Sequence, residues 1–188
     1  NFNIITIGLP SSSGRLLLDV TPANSNYIYI LSALSSGSFQ GIYRSMNGGD
    51  NWAKTSGTTD IFDGSGQAWY DLALAVSDTN ENEIYTGCLN VWKSSTSGSS
   101  FTKLNNWSSP NDAAYTHADI HYLGFHGGKL YCGSDGGVYV SDNGGIAFTD
   151  MTSGAQIRQF YKGSVSKQTA NNIGSGLQDN GGHAFSNG

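Results

Sequence analysis

Apolar residues occur along the chain in short bursts, separated by stretches of Gly, Ser, Asn and Thr, and the bursts read as β-strands. Gly41-Ile42-Tyr43-Arg44, Asn90-Val91-Trp92-Lys93 and Gly137-Val138-Tyr139-Val140 are three such runs, and each leads into a similar octet. The octets are Ser45-Met46-Asn47-Gly48-Gly49-Asp50-Asn51-Trp52, Ser94-Ser95-Thr96-Ser97-Gly98-Ser99-Ser100-Phe101 and Ser141-Asp142-Asn143-Gly144-Gly145-Ile146-Ala147-Phe148. They share Ser-x-(Asn/Thr)-x-Gly-x-x-(Trp/Phe) and begin 49 and 47 residues apart (94 − 45 and 141 − 94). Such an octet predicts a hairpin. Asn or Thr can bond the backbone two residues on, Gly takes the positive φ of a tight turn, and the aromatic falls back onto the sheet.

A second marker precedes the octets. Val20-Thr21-Pro22-Ala23-Asn24-Ser25-Asn26-Tyr27-Ile28-Tyr29 matches Val76-Ser77-Asp78-Thr79-Asn80-Glu81-Asn82-Glu83-Ile84-Tyr85 position for position, and both read as strand, polar turn, strand. A shorter version, Phe125 to Tyr131, opens the third unit, and Phe160–Val165 with Ile173–Gly176 open a fourth. Units of this length holding four short strands are the blades of a β-propeller. The predicted fold is therefore all-β, a propeller of four-stranded antiparallel blades. One partial ring spans residues 1–188: a leading strand in 1–14, blades at 15–57, 67–105 and 117–152, and the start of another at 157–188. Propellers close with four to eight blades, so the expectation is a piece of a longer polypeptide that supplies the rest.

Composition sharpens this. Gly and Ser each number 26 and Asn 17, against two Glu and six Lys. Helix surfaces are built from Glu, Lys, Arg and Ala, so extended helices are not expected. Aromatics at 12% argue against disorder. The net charge of −5 offers no basic stripe for nucleic acid. No apolar run nears the roughly 18 residues of a membrane helix, so no membrane insertion is expected. Low charge with many Asn, Ser, Thr and Tyr suggests a secreted or cell-surface protein.

The octets resemble the Asp-box, or bacterial neuraminidase repeat, of sialidases, xyloglucanases and the sortilin propeller; Asn47, Thr96 and Asn143 stand where that family carries Asp. The Asp-box positions are Ser45, Asn47, Gly49 and Trp52, then Ser94, Thr96, Gly98 and Phe101, then Ser141, Asn143, Gly145 and Phe148. A longer resemblance runs from about Gln67 to Asn180. Gln67-Ala68-Trp69-Tyr70-Asp71-Leu72, His117-Ala118-Asp119-Ile120-His121, Gly133-Ser134-Asp135-Gly136-Gly137, Gln159-Phe160-Tyr161 and Gly176-Leu177-Gln178-Asp179-Asn180-Gly181 occur in that order. Together they are similar to the sortilin-like propellers of large secreted Bacteroidetes proteins, many with type IX sorting domains. The resemblance implies the propeller fold, export, and partners in the remaining blades or domains of the same polypeptide.

Several residues carry candidate chemistry. In a strand, His117-x-Asp119-x-His121 would put two imidazoles and a carboxylate on one face, a set able to hold a divalent metal such as Zn²⁺. The competing reading is a hydrogen-bonded cluster at a strand mouth, with no cofactor required. Trp69, Tyr70 and Asp71 precede the apolar run Leu72–Val76 and fall near the same end of the ring as His117–His121 and Arg158–Tyr161. Aromatics beside carboxylates suit a glycan or protein ligand; alternatively Trp69 and Tyr70 pack between blades. Asp135, Asp179 and Asn180 are expected to hold turns rather than bind Ca²⁺, since the dense acidic spacing of a calcium loop is missing. Cys88 and Cys132 are expected as free, buried thiols, a bridge between them being the alternative.

Enzymatic readings can be weighed. A sialidase needs an arginine cluster and a tyrosine–glutamate pair, yet the arginines are only Arg15, Arg44 and Arg158, and Glu81 and Glu83 lie in a turn. No Gly-x-Ser-x-Gly elbow marks a nucleophilic serine. A xyloglucanase-like hydrolase needs two carboxyl groups across a cleft, and this chain could lend one, with Asp71 or Asp119 as candidates. The favoured expectation is a non-catalytic binding or adhesion module, with part of a xyloglucanase-like glycoside hydrolase as the alternative.

Overall fold

The structure, a computed structural model, describes residues 7–155, 159–179 and 181–186. Its contacts divide the chain into two compact units, Asn1–Met151 and Thr152–Gly188.

The first unit holds three antiparallel sheets, each made of four consecutive strands. The first comprises β1 (Arg15–Val20), β2 (Ile28–Ala33), β3 (Phe39–Ser45) and β4 (Ala53–Lys54). The second comprises β5 (Ala73–Val76), β6 (Ile84–Gly87), β7 (Val91–Ser94) and β8 (Thr102–Lys103), and the third β9 (Ile120–His126), β10 (Lys129–Ser134), β11 (Gly137–Ser141) and β12 (Thr149–Asp150). The opening strands are neighbours, β1 beside β5 and β5 beside β9, as in successive propeller blades. The second unit is a three-stranded antiparallel sheet of β13 (Phe160–Val165), β14 (Asn172–Leu177) and β15 (Gly182–Ser186). The leading strand expected at Asn3–Gly8 lies outside the described residues as far as Thr6, and Ile7 and Gly8 form a turn.

The apolar run of β5 is continuous because both its faces are covered. Leu72, Leu74 and Val76 pack with Tyr29, Leu31, Ala33 and Ile42 of the first sheet. Ala73 and Ala75 face the other way, into a core with Ile120, Leu123, Leu130 and Cys132 of the third. Each buried Leu or Val stabilises this packing by roughly 1.5–3 kcal/mol. Gly87 is required at the second seam, where a Cβ would lie 2.6 Å from Ile120 Cγ2. Two fully buried tyrosines at equivalent positions bridge forward: Tyr29 donates to Glu81 O at 2.7 Å, and the Tyr85 hydroxyl lies 3.1 Å from Gly144 O and 2.6 Å from Glu83 Oε1.

The octets fold by one scheme. Ser45, Ser94 and Ser141 are buried, and each hydroxyl oxygen accepts from the backbone N–H four residues on, Gly49, Gly98 or Gly145, at 2.8–2.9 Å. Asn47 Oδ1, Thr96 Oγ1 and Asn143 Oδ1 accept from the N–H of Asn51, Ser100 and Ala147, each at 3.0 Å. Gly49, Gly98 and Gly145 take φ of 98°, 89° and 86°, in or near the left-handed region that glycine tolerates best. An Asp is therefore dispensable here, because any short side chain with an acceptor oxygen closes the hairpin.

The structure corrects the strand reading of His117-x-Asp119-x-His121. β9 begins only at Ile120, and Asp119 sits at φ 58°, outside the extended region. Opposite Gly133 and Ser134, the partners are Tyr122 and Ile120, so His121 is the extra residue of a β-bulge. The bulge resets the alternation, letting Ile120 and Leu123, three apart, enter the same core.

Candidate functional site

Two long crossovers, residues 55–72 and 104–119, carry the chain from one sheet to the opening strand of the next. They leave their sheets at the same end, with the β10–β11 turn, and there the site of the first unit assembles.

The crossover ahead of β5 is clamped by the first sheet. Arg15 Nη1, at the start of β1, lies 3.2, 3.3 and 3.0 Å from the carbonyl oxygens of Ala68, Trp69 and Tyr70. Charge-assisted bonds of this kind are about twice as strong as neutral ones, and they fix the backbone beneath Trp69. The indole is 71% exposed and its ring lies 5.7 Å from that of Tyr70, which is 44% exposed. Tyr70 is the more covered of the two.

Tyr70 is anchored to the third sheet. Its hydroxyl donates to Asp135 Oδ2 at 2.8 Å, and its ring meets that of His121 edge to face, centroids 4.8 Å apart. His121 Nε2 lies 2.8 Å from Asp135 Oδ1. Asp135, expected to hold a turn, thus uses both carboxylate oxygens outside it. The bulge at His121 aims the imidazole at this carboxylate.

A pair of carboxylates, Asp71 and Asp119, shares one donor nearby. Gln67 Nε2 donates to Asp71 Oδ2 at 2.9 Å and also to Asp119 Oδ1. Asp71 is fully buried, and the Cys88 thiol donates to its Oδ1 at 3.6 Å. Burial pushes the Asp71 carboxyl up to about 6; the Gln67 bond opposes this, and the charge of Asp119 adds to it. Burial, reinforced by Asp71, also raises the Cys88 thiol.

His117, Asp119 and His121 therefore part company. His117 Nδ1 faces Ala118 O at 3.1 Å, Asp119 holds Gln67, and His121 pairs with Asp135. Among the described residues no three His, Cys, Asp or Glu side chains gather as a metal site requires. Arg158 and Asn180 lie outside the described residues. Tyr161, on β13, and Asp179, at φ 54°, belong to the second unit. Both cysteines are free and buried. Cys88 faces the core between the first and second sheets and Cys132 that between the second and third, with burial pushing the Cys132 thiol up to about 12.

Sequence reasoning gave Gln67, Arg15 and Asp135 no part in the site. Gln67 stood in a recognised stretch without a role, and nothing in the spacing links Arg15 to residues more than fifty positions away.

No protein-family model and no curated protein sequence matches the chain. Solved structures do. The GH74 enzyme of Niastella koreensis superposes with a TM-score of 0.51 at 20% identity, over 89% of this chain and 27% of its own. The GH74 xyloglucanase of Xanthomonas campestris gives 0.54 at 15%, over 89% and 28%. YCF48 from Cyanidioschyzon merolae gives 0.53 at 15%, over 90% and 52%. The chain thus spans about a quarter of the GH74 enzymes and half of YCF48. At these identities the likeness concerns the fold alone. The chain folds as a partial β-propeller.

Proposed function

We propose that this partial propeller is a non-catalytic binding or adhesion module of a secreted or cell-surface protein, its ring completed by further blades of the same polypeptide. It takes a glycan over the Trp69 platform, a protein partner being the alternative occupant. The observation that carries this reading is a 71% exposed indole on a backbone that Arg15 holds in place. A preorganised aromatic loses little entropy on binding, and indole faces suit the apolar face of a sugar ring. Tyr70, His121 and Asp135 lie beside it with polar edges for hydroxyl groups. The longer resemblance, from Gln67 to Asn180, to secreted sortilin-like propellers supports export.

Part of a xyloglucanase-like hydrolase is the alternative, and the GH74 neighbours bear on it through fold alone. An inverting hydrolase needs two carboxyl groups about 6.5–9.5 Å apart facing one cleft. Asp71 is enclosed, with both oxygens engaged by Gln67 and Cys88. Asp119 in turn accepts from Gln67, so neither carboxylate stands free to act as acid or base, whereas the exposed Trp69 platform is open to a ligand.

The test is a glycan array followed by calorimetric titration of the best ligand into wild type and Trp69→Ala. Loss of an aromatic anchor worth about 2 kcal/mol weakens binding about 30-fold. A variant that binds as wild type does, or an array with no ligand, overturns the reading.

A further inference from the structure

Equivalent strands of the repeat stand in different surroundings at β1 and β5. Val20 and Val76 are equivalent, so Leu16, Leu18 and Val20 of β1 correspond to Leu72, Leu74 and Val76 at β5, the same three residue types in the same order. At β5 the stripe is almost wholly buried, 1%, 7% and 4% exposed, against the first sheet. At β1 it is 50%, 62% and 52% exposed. Leu17, between them, points the other way and packs with the core shared with the second sheet.

At β5 the stripe is covered by the first sheet. The first sheet presents Tyr29, Leu31 and Ala33 from its second strand and Ile42 from its third. Polar bonds fix the seam: Tyr29 donates to Glu81 O at 2.7 Å, Thr21 Oγ1 donates to Ser77 O at 2.5 Å, and Asp19 Oδ2 accepts from Val76 N at 2.7 Å. The position equivalent to Glu81 in the first sheet is Ser25, in the turn after β1.

We propose that Leu16, Leu18 and Val20 form the seat of one further four-stranded blade of this repeat, contributed by the same polypeptide. Its second strand lays a Tyr-x-Leu-x-Ala-type face on the stripe and sets its buried tyrosine hydroxyl on the Ser25 carbonyl. The inference rests on the incomplete ring and not on the ligand at Trp69, so the glycan experiment and this one fail independently. The apolar stripe supplies the attraction, and the tyrosine hydroxyl, which must reach the Ser25 carbonyl, fixes where along the stripe the new face sits.

Hydrogen–deuterium exchange tests it, on the 188-residue chain and on the longer polypeptide that carries its further repeats. The expected result is about ten-fold or slower exchange across β1 and residues 21–27 in the longer form, local opening there being suppressed. Leu18→Lys abolishes that gain while leaving the circular dichroism of the shorter chain unchanged, because the position is exposed in it. Equal exchange in both forms overturns the proposal. Full protection in the shorter chain alone, with a dimer mass by light scattering, places a second copy in the seat and overturns it too.

Discussion

Tyr70 donates its hydroxyl hydrogen to Asp135 Oδ2 at 2.8 Å, joining two residues 65 positions apart in sequence. This bond ties the crossover ahead of β5 to the β10–β11 turn, and His121 pairs with the other oxygen of the same carboxylate. The aromatic platform is thus held from both sides, by Arg15 from the first sheet and Asp135 from the third. Tyr70→Phe should loosen the platform without unfolding the protein. Amide exchange over residues 67–71 is expected to quicken, with a stability loss of about 1 kcal/mol, the net worth of one hydrogen bond. Unchanged exchange there would show that Arg15 alone suffices.

Asp71 gives the fold a pH dependence of known sign. Its carboxyl rises from 3.8 to about 6 on folding, so between those values the folded state binds more protons than the unfolded one. Stability on this account is greatest below about pH 4 and falls as pH rises to about 6, by about 3 kcal/mol for two pKa units. Asp71→Asn should remove that slope and leave the protein more stable than wild type at pH 7. Urea midpoints at several pH values decide it; parallel curves for the two proteins would refute the assignment.

The octet serines are structural. Ser94 accepts from the N–H of Thr96 at 3.1 Å and of Gly98 at 2.9 Å in a buried position. Ser94→Ala strands these donors and should cost about 1–3 kcal/mol, lowering the melting temperature by several degrees for a chain this size. The neighbouring exposed Ser95→Ala should change nothing measurable by calorimetry.

Both thiols should resist modification while the chain is folded. Burial disfavours the reactive thiolate of Cys88 and Cys132 alike. A chromogenic disulfide reagent at pH 8 is expected to titrate neither thiol in buffer and both in denaturant. Rapid reaction of one in buffer would show that its core opens.

Much of the architecture is legible in the residues because it is written locally. An octet closes through bonds between positions two and four apart, so Ser, an acceptor residue and Gly at fixed spacing specify the hairpin wherever they recur. The matched turns at Asn24–Asn26 and Asn80–Asn82 behave alike: Asn24 Oδ1 accepts from Asn26 N at 3.1 Å and Asn80 Oδ1 from Asn82 N at 3.0 Å. Repetition then supplies the blade, since each sheet must bury its apolar faces against its neighbours.

The site obeys different physics. A strand alternation placed His117, Asp119 and His121 on one face, but a left-handed Asp119 and one extra residue at His121 reset the parity. Gln67 meets Asp119 across 52 positions and Arg15 meets Ala68 across 53. Such pairings carry no spacing rule, because they arise only where separate sheets pack side by side. The sequence by itself determined the strands, the turns and the repeated blade, through bonds within a few residues. Tertiary packing alone decided that Trp69 stands exposed, that Asp71 is enclosed, and that Tyr70, His121 and Asp135 share one corner.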